Sequence, residues 1–510
     1  MTTDNHKMLD LDDLAAKTRE LKSQGKRVIL CHGVFDLLHI GHIRYFKRAR
    51  TLGDVLLVTL TPDRYVDKGP QRPAFPESLR LEALASLDCV DFVAVNKWPT
   101  AEDTLRLLRP DVYVKGAEFK DLASDPAGKI AQEAAVCEEV GTTLAFAEDI
   151  VFSSSNLINR FFSNLPEEIR QYLQLFKQRY SQEDILQTLD RMADLKVLVV
   201  GDTIIDDYHY CEAMGKSSKD PILVLKYDSH DLFAGGAAAV ANHVAGFASK
   251  VTLLSVLGST DTHEDFLRAQ LSPNIEPIFH VKDGACTTLK RRFIDGYSTN
   301  KLFEVCFMDP TPLASEKDQA MAQEITRLAA SHDLVLVSDF GHGAIGPACK
   351  DAIAALRVPV AVNTQANAGN RGFNTISRYP GASLACIAEH ELRLETRSER
   401  GAIRPIMEKL AQDLGLSAFA VTRGRLGCAL YDRRSGSFVT VPSFATRVTD
   451  RVGAGDAFLA LAAMSHALQV ELELLGFLGS IMGTLAVSVI GNKKAIAKKE
   501  ARNYIIALLK

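Results

Sequence analysis

The sequence predicts an α/β protein of two unequal domains, each built on a mostly parallel sheet covered by helices. Two observations carry that reading. Apolar strand-like runs alternate with helical stretches in two separate blocks. A strandless helical stretch over residues 164–194 lies between the blocks. The expected boundaries are therefore residues 1–163 for the first domain, 164–194 for a helical connector and 195–510 for the second domain.

In the first block, Val28, Ile29 and Leu30 mark a buried strand within residues 26–32. A turn and a helix over residues 43–52 follow. The apolar runs 54–61, 89–95, 112–115 and 142–147 read as further strands, with helices over 77–87 and 101–108 between them. The connector opens with Pro166 before Glu167 and Glu168, a favourable helix start. Ile169, Tyr172, Leu173, Phe176 and Tyr180 then recur at helical spacing, so this stretch packs on something. Ser181, with Asp184 three residues on, begins a second helix with Ile185, Leu189 and Met192 on one face. In the second block, strands are expected at 196–201, 222–227, 250–256, 334–338, 358–363 and 418–422, and Ala-rich helices from Asp456 onward.

Composition narrows the function. With 59 basic and 63 acidic residues the net charge is −4, which argues against bulk nucleic-acid binding or an electrostatic membrane anchor. The nine cysteines are scattered, odd in number and without a C-x-x-C pair, so they read as reduced thiols of a cytoplasmic protein. Residues 1–12 are polar and carry no apolar signal core, so secretion is not expected. Residues 474–491 carry no charge and approach the ~20 residues of a membrane span. Gly476, Gly479 and Gly483 favour instead a helix packed closely in a core.

The first chemical constellation is Gly33, Val34, Phe35, Asp36, Leu37, Leu38, His39, Ile40, Gly41 and His42, placed between a buried strand and a helix. Helix-start N–H groups at the C-terminal edge of a parallel sheet bind phosphate. His39 and His42 are three apart, hence on one helical face, and Gly41 lets a nucleotide backbone approach. Imidazoles donating there would stabilise charge developing on an α-phosphate.

This segment resembles the H-x-G-H nucleotidyltransferases, and within them the sugar-phosphate and polyol-phosphate cytidylyl/adenylyltransferases, over residues 28–162. Lys68, Gly69, Pro70, Gln71, Arg72 and Pro73 resemble the family's K-G-x-x-R-P loop. Arg109, Pro110 and Asp111 with Lys115 and Gly116 resemble its P-D-x-x-V-K-G strand. Phe152, Ser153, Ser154, Ser155 and Asn156 resemble its late helix start, although the R-T-x-G-I-S-T string of the cytidylyltransferases is absent. The resemblance implies a Rossmann-like domain that moves a nucleotidyl group from ATP or CTP to a sugar or polyol phosphate, with Mg²⁺ bridging phosphates. His39 and His42 would be catalytic; Gly33, Phe35, Asp36, Gly41, Lys68, Arg72, Lys115, Gly116, Ser153, Ser154 and Ser155 would hold the nucleotide.

The second constellation is Asp450, Arg451, Val452, Gly453, Ala454, Gly455 and Asp456 before a long apolar helix. The glycines allow a turn whose N–H groups converge on an anion, and a carboxylate beside it can take a proton from an attacking hydroxyl. Asp456 is the expected base; Gly453, Ala454 and Gly455 are the expected phosphate cradle. With Gly201-Asp202, Asp206, Gly235-Gly236, Asp339-Phe340-Gly341-His342-Gly343 and Thr422-Arg423-Gly424, this resembles the ribokinase-like, PfkB-type sugar kinases over residues 195–510. The resemblance implies that Asp202, Asp206, Gly235 and Gly236 hold the sugar, that Thr422 and Gly424 meet nucleotide, and that Glu389 serves the metal. Three departures stand out: Ala239 replaces the family Asn of G-G-x-x-N, Cys386 replaces the Asn of N-x-x-E, and Asn363 replaces a strand-end Asp. Asn242, about one helical turn beyond Ala239, is a candidate to compensate.

Together the halves resemble the bifunctional heptose-phosphate kinase/adenylyltransferases with the domain order reversed. The expectation is a two-activity enzyme of nucleotide-sugar synthesis, a homodimer acting on small molecules; the alternative is a nucleotidyltransferase whose kinase-like half only binds ligand or oligomerises.

Overall fold

Every strand of the first block pairs in parallel. The computed structural model describes residues 6–66, 73–116, 129–147, 165–298 and 300–509. They fall into two compact units that change over between residues 164 and 165.

In the first unit, β1 (Val28–Gly33), β2 (Val55–Leu60), β3 (Phe92–Val95), β4 (Val112–Gly116) and β5 (Thr143–Ala147) form a sheet of order β3-β2-β1-β4-β5. The strand order reverses between β1 and β4, the switch point at which α/β sheets bind ligands. The helices are α1 (Leu11–Ser23), α2 (Ile40–Arg50), α3 (Glu77–Ala85), α4 (Glu102–Leu108) and α5 (Lys129–Val140). Alternation along β1 sends Ile29 and Cys31 to a core shared with Phe46 of α2 and Leu84 of α3. Val28 and Leu30 go to a second core with Leu14 of α1 and Leu105 of α4. Both sheet faces are thus covered, which is why these strands read as continuous apolar runs. Helix α1 lies outside the sequence expectation; Asp10 caps it by accepting from the Asp12 and Asp13 amides at 2.9 and 2.8 Å.

The second unit begins with α6 (Glu167–Arg179) and α7 (Gln182–Arg191), the two helices expected in the connector. Ser181 caps α7 through the Asp184 amide at 3.1 Å. Phe176 stacks on Phe477 with ring centroids 4.3 Å apart, and Asp190 pairs with Lys498 and Arg502. These helices are therefore packed parts of the second unit.

Its sheet contains β6 (Lys196–Lys216), β7 (Leu223–Gly236), β8 (Lys250–Thr260), β9 (Ile275–Cys286), β10 (Leu289–Asp295), β11 (Lys301–Phe307), β12 (Leu334–Asp339), β13 (Val360–Thr364), β14 (Leu384–Ala388), β15 (Ala418–Thr422), β16 (Cys428–Asp432) and β17 (Ser437–Val441). The helices are α8 (Ala237–Ala245), α9 (Glu264–Gln270), α10 (Ser315–Ala329), α11 (Pro347–Ala354), α12 (Glu389–Thr396), α13 (Ile403–Leu414), α14 (Ala454–Ala467), α15 (Leu472–Ala486) and α16 (Lys498–Leu509). Strand β6 serves two layers. Its apolar first third lies between β8 and β12 in the central parallel sheet. Its polar remainder leaves that sheet and pairs with β7 and β10, with β11 beyond, as a four-stranded ribbon. The sequence marks only 196–201 and 222–227 of this ribbon hairpin, because Asp206, Asp207, His209 and Glu212 interrupt the apolar pattern.

Helix α15 occupies most of the uncharged stretch. A Cβ on Gly479 would lie 2.7 Å from the Phe458 ring of α14, so the glycine is what lets the two helices approach. Among the described residues no helix is long and apolar enough to cross a membrane.

Candidate active sites

The first site forms where β1 runs into α2. His39 is the N-cap of α2, its Nδ1 accepting from the Gly41 amide at 3.1 Å. With Nδ1 an acceptor, a neutral ring carries its proton on Nε2. That Nε2 is buried and has no hydrogen-bond partner among the described residues. Burial also lowers the His39 pKa, favouring the neutral ring. The His39 and His42 rings stack at 4.0 Å, and Phe35 meets His42 edge-on at 5.5 Å. Phe35 holds a left-handed backbone (φ 48°), and a Cβ on Gly33 would lie 3.0 Å from its ring. The two imidazoles, the α2 N-terminus and Gly41 therefore come together at the sheet edge as expected.

Two other expected nucleotide ligands make contacts within the unit. Asp36 is buried, and its Oδ1 accepts from the Ala74 and Phe75 amides at 2.6 and 3.2 Å. Through Oδ1 it anchors the chain at Ala74 and Phe75. Lys115 forms a 2.7 Å ion pair with buried Glu133 of α5, so its charge is already matched inside the unit. Gly116 ends β4 beside it. Lys68, Arg72, Ser153, Ser154 and Ser155 lie outside the described residues.

Arg80 is the organising residue that the sequence reading missed. Only 1% exposed, it donates to the Phe75 and Thr61 carbonyls at 3.0 and 2.9 Å, to the Val34 carbonyl, and to Asp63 at 2.6 Å. It ties together three loops at the sheet edge. Its signal was present as one arginine at i−4 to Leu84 on the apolar face of α3.

The second site forms at the N-terminus of α14. Gly453 caps the helix in the left-handed region (φ 81°), and a Cβ there would lie 2.2 Å from Asn492 Oδ1. The first-turn N–H groups, from Ala454 and Gly455 onward, have no intrahelical acceptor and face outward along the helix dipole. Asp456 sits in this turn, 7% exposed. Burial, then the negative charge of Asp206, pushes its pKa up to about 7, against the pull of Lys290. Lys290 on β10 also acts electrostatically on Asp202 and His342; sequence reading did not single it out. Burial, helped by Lys290, depresses the His342 imidazole to about 4, so it is neutral here.

The Gly-Gly turn is explained by close approach. A Cβ on Gly235 would lie 2.4 Å from Asp206 Oδ2, and one on Gly236 (φ 58°) would lie 2.3 Å from the Asp202 carbonyl. The expected sugar-holding aspartates carry internal duties. Asp202 accepts from the Phe340, His342 and Ala344 amides at 2.8, 3.3 and 3.0 Å, fixing the loop after β12. Asp206 is ion-paired with Arg292. Thr422 ends β15, and Gly424 (φ 58°) opens the turn after it.

Glu389, the residue the resemblance assigns to the metal, is engaged by two arginines. Its carboxylate accepts from Arg393 Nε at 3.0 Å and from Arg423 Nε at 2.9 Å, which fixes its orientation. Asn242 does not compensate for Ala239: it donates to the Gln270 carbonyl at 3.1 Å and accepts from the Ser272 amide at 2.9 Å, pinning a loop. Asn363 bonds the Cys386 carbonyl at 2.7 Å, a strand-to-strand tie, and Cys386 is buried in the core.

Comparison with known proteins agrees with this division. The model of pfkB family carbohydrate kinases matches residues 194–499, more than half of the chain. The chain belongs to that family. Upstream of its pfkB part, residues 30–160 match the cytidylyltransferase-like model. The N-terminal part is similar to the bifunctional protein HldE of Geotalea uraniireducens, 44% identical over 115 residues, or 22% of this chain and 24% of that protein. It is similar to HldE of Geobacter sulfurreducens at 42% identity over 115 residues, with the same coverage. The alignments thus span about a quarter of these relatives' length. Phosphofructokinase-2 from Escherichia coli, in its tetrameric inhibited form, superposes at a TM-score of 0.51 and 14% identity, covering 62% of this chain and all of that one. At that identity the likeness establishes the ribokinase-like fold alone.

Proposed function

We propose that the chain is a two-site enzyme of nucleotide-sugar synthesis. At the first site a phosphate oxygen of a sugar or polyol phosphate attacks the α-phosphate of ATP or CTP. A new P–O bond forms, the α–β bridge breaks and pyrophosphate leaves. His39, through Nε2–H, and His42 stabilise the charge that develops, while the α2 N-terminus holds phosphate. At the second site a sugar hydroxyl gives its proton to Asp456 and attacks the γ-phosphate of ATP, which is cradled by the N–H groups that follow Gly453.

The observation that carries this reading is the pair of helix starts, one bearing stacked imidazoles and the other a buried carboxylate held near neutrality. Mg²⁺ belongs to the reading as an ion brought with the nucleotide's phosphates, supplying charge neutralisation. The expected domain limits, 1–163 and 195–510 with the helical connector 164–194 packed on the latter, the homodimer and the cytoplasmic setting also belong to it. The last is supported by nine free cysteines.

Incubation with ATP or CTP and a panel of sugar phosphates tests the whole. Pyrophosphate from at least one pair and sugar-dependent ADP are expected; neither product from a folded protein overturns the reading. A second reading is favoured by the occupied carboxylates of Glu389 and Asp206. In it, the pfkB half binds a sugar without phosphorylating it. Sugar-induced stabilisation without ADP would select that reading, and ADP formation would exclude it.

A further inference from the structure

The ribbon that branches from the central sheet has two chemically different faces. Along β6, Asp206 and Tyr208 point toward Arg292 and Asp450 on the kinase-site side. Alternation sends Asp207 and His209 to the opposite face. His230 of β7 is the direct cross-strand partner of His209, so three potential metal ligands meet on one face of one hairpin.

We propose that Asp207, His209 and His230 bind a divalent transition-metal ion of the zinc type. His209 Nε2 and His230 Nδ1 are 3.3 Å apart, and His230 Nδ1 is 3.3 Å from Asp207 Oδ1. Ligand atoms about 2.0–2.1 Å from a tetrahedral zinc are separated by about 3.3 Å, so these spacings are edges of such a site. Asp207 is only 1% exposed, yet its Oδ1 has no hydrogen-bond partner among the described residues. A buried carboxylate oxygen in that state is costly unless a cation completes it. The other oxygen, Oδ2, is fixed by Arg291 Nε at 2.7 Å, the kind of supporting contact that orients a ligating carboxylate. His209 Nε2 also lies 2.9 Å from that Oδ2 and would exchange this contact for the metal. The His209 ring is flanked by Phe293 at 5.3 Å and Tyr227 at 5.4 Å, which limit its rotation.

Two imidazoles and one carboxylate select Zn²⁺, Co²⁺ or Ni²⁺ over Mg²⁺ or Ca²⁺. The fourth position falls to water. Such an ion clips β6 to β7 from behind the strand that carries Asp206 and Tyr208, and so braces the ribbon without touching the kinase chemistry. The site stands independently of either activity proposed above.

The test uses the full chain stripped with a chelator, loaded with Zn²⁺, freed of excess by gel filtration and assayed for metal content. One equivalent more is expected in the wild type than in His230→Ala or Asp207→Asn, with a rise in Tm on loading that both variants lack. The His230 side chain is 47% exposed, so His230→Ala keeps the fold, and its metal-free Tm should equal that of the wild type. Equal zinc content in wild type and His230→Ala overturns the proposal. So does release of the extra equivalent by millimolar Mg²⁺.

Discussion

The two candidate sites use the same backbone device and opposite side-chain chemistry. Each sits at a helix N-terminus that leaves a parallel sheet or follows a glycine turn, where first-turn N–H groups without intrahelical acceptors favour an anion. At the start of α2 the side chains are two stacked imidazoles, of which His39 has its pKa lowered by burial and is favoured as a neutral donor. At the start of α14 the side chain is an acid, Asp456, raised by burial and by Asp206 to about 7. Burial favours the neutral form in both, but in an imidazole that preserves a donor already in its working state. In a carboxyl it creates a base poised to change state. In the proposed reading both sites take phosphate, and only the second has a carboxylate, Asp456, placed to generate a nucleophile from a hydroxyl.

Substitution of Asp456 breaks this comparison most sharply. Asp456→Asn should lower sugar-dependent ADP formation by about 10³-fold or more while leaving pyrophosphate formation intact, a split read by assaying both products. The same variant should be more heat-stable. Folding raises this carboxyl from 3.8 to about 7, so the folded state binds its proton more tightly than the unfolded state. Stability from this group therefore falls as pH rises from about 4 to about 7, and the Asn variant escapes that loss. A Tm for Asp456→Asn at or below wild type at pH 8 would contradict the buried-base assignment.

On the other side, His39→Ala should reduce pyrophosphate formation about 10²- to 10³-fold, the range for removing one donor aimed at developing charge, with ADP formation unchanged. Arg80→Met should destabilise the first unit by about 3 kcal/mol, because three loop carbonyls and Asp63 lose a buried donor. Chemical denaturation followed through that unit measures it. The pH profiles sharpen the contrast further: kcat/KM of the kinase reaction should fall about tenfold per unit below pH 7, where Asp456 is protonated, whereas nucleotidyl transfer should stay level from pH 7 to 8. The smallest effect is expected for Asn242→Ala, about 1 kcal/mol from the lost loop tie, with no change in sugar KM.

The legible parts of the sequence were those with a short-range signature. The all-parallel first sheet followed from apolar runs such as Val55–Leu60, buried on both faces. The helix starts at His39 and Gly453 were marked by residues whose caps and turns are local. The ribbon was not legible beyond its ends, because a strand half in the central sheet and half in a partly exposed ribbon carries no single period. Nor were the partners of Asp36, Asp202 and Glu389 legible. The Ala74 amide, the Ala344 amide and Arg423 lie many residues away in sequence, and only Arg393, one helical turn from Glu389, is local.

By itself, then, the sequence determined where the two helix starts with first-turn N–H groups lie and which side chains stand in them, since capping, glycine turns and apolar periodicity act over a few residues. Tertiary structure alone decided which charged groups are free to act. Asp202 accepts from amides, and Glu389 pairs with Arg423, brought from elsewhere in the chain. Asp456 is left buried beside Asp206 and Lys290, and Asp207 beside His209 of its own strand and His230 across the hairpin. A charge's role depends on the field and the donors around it, and those are assembled only when distant strands pack.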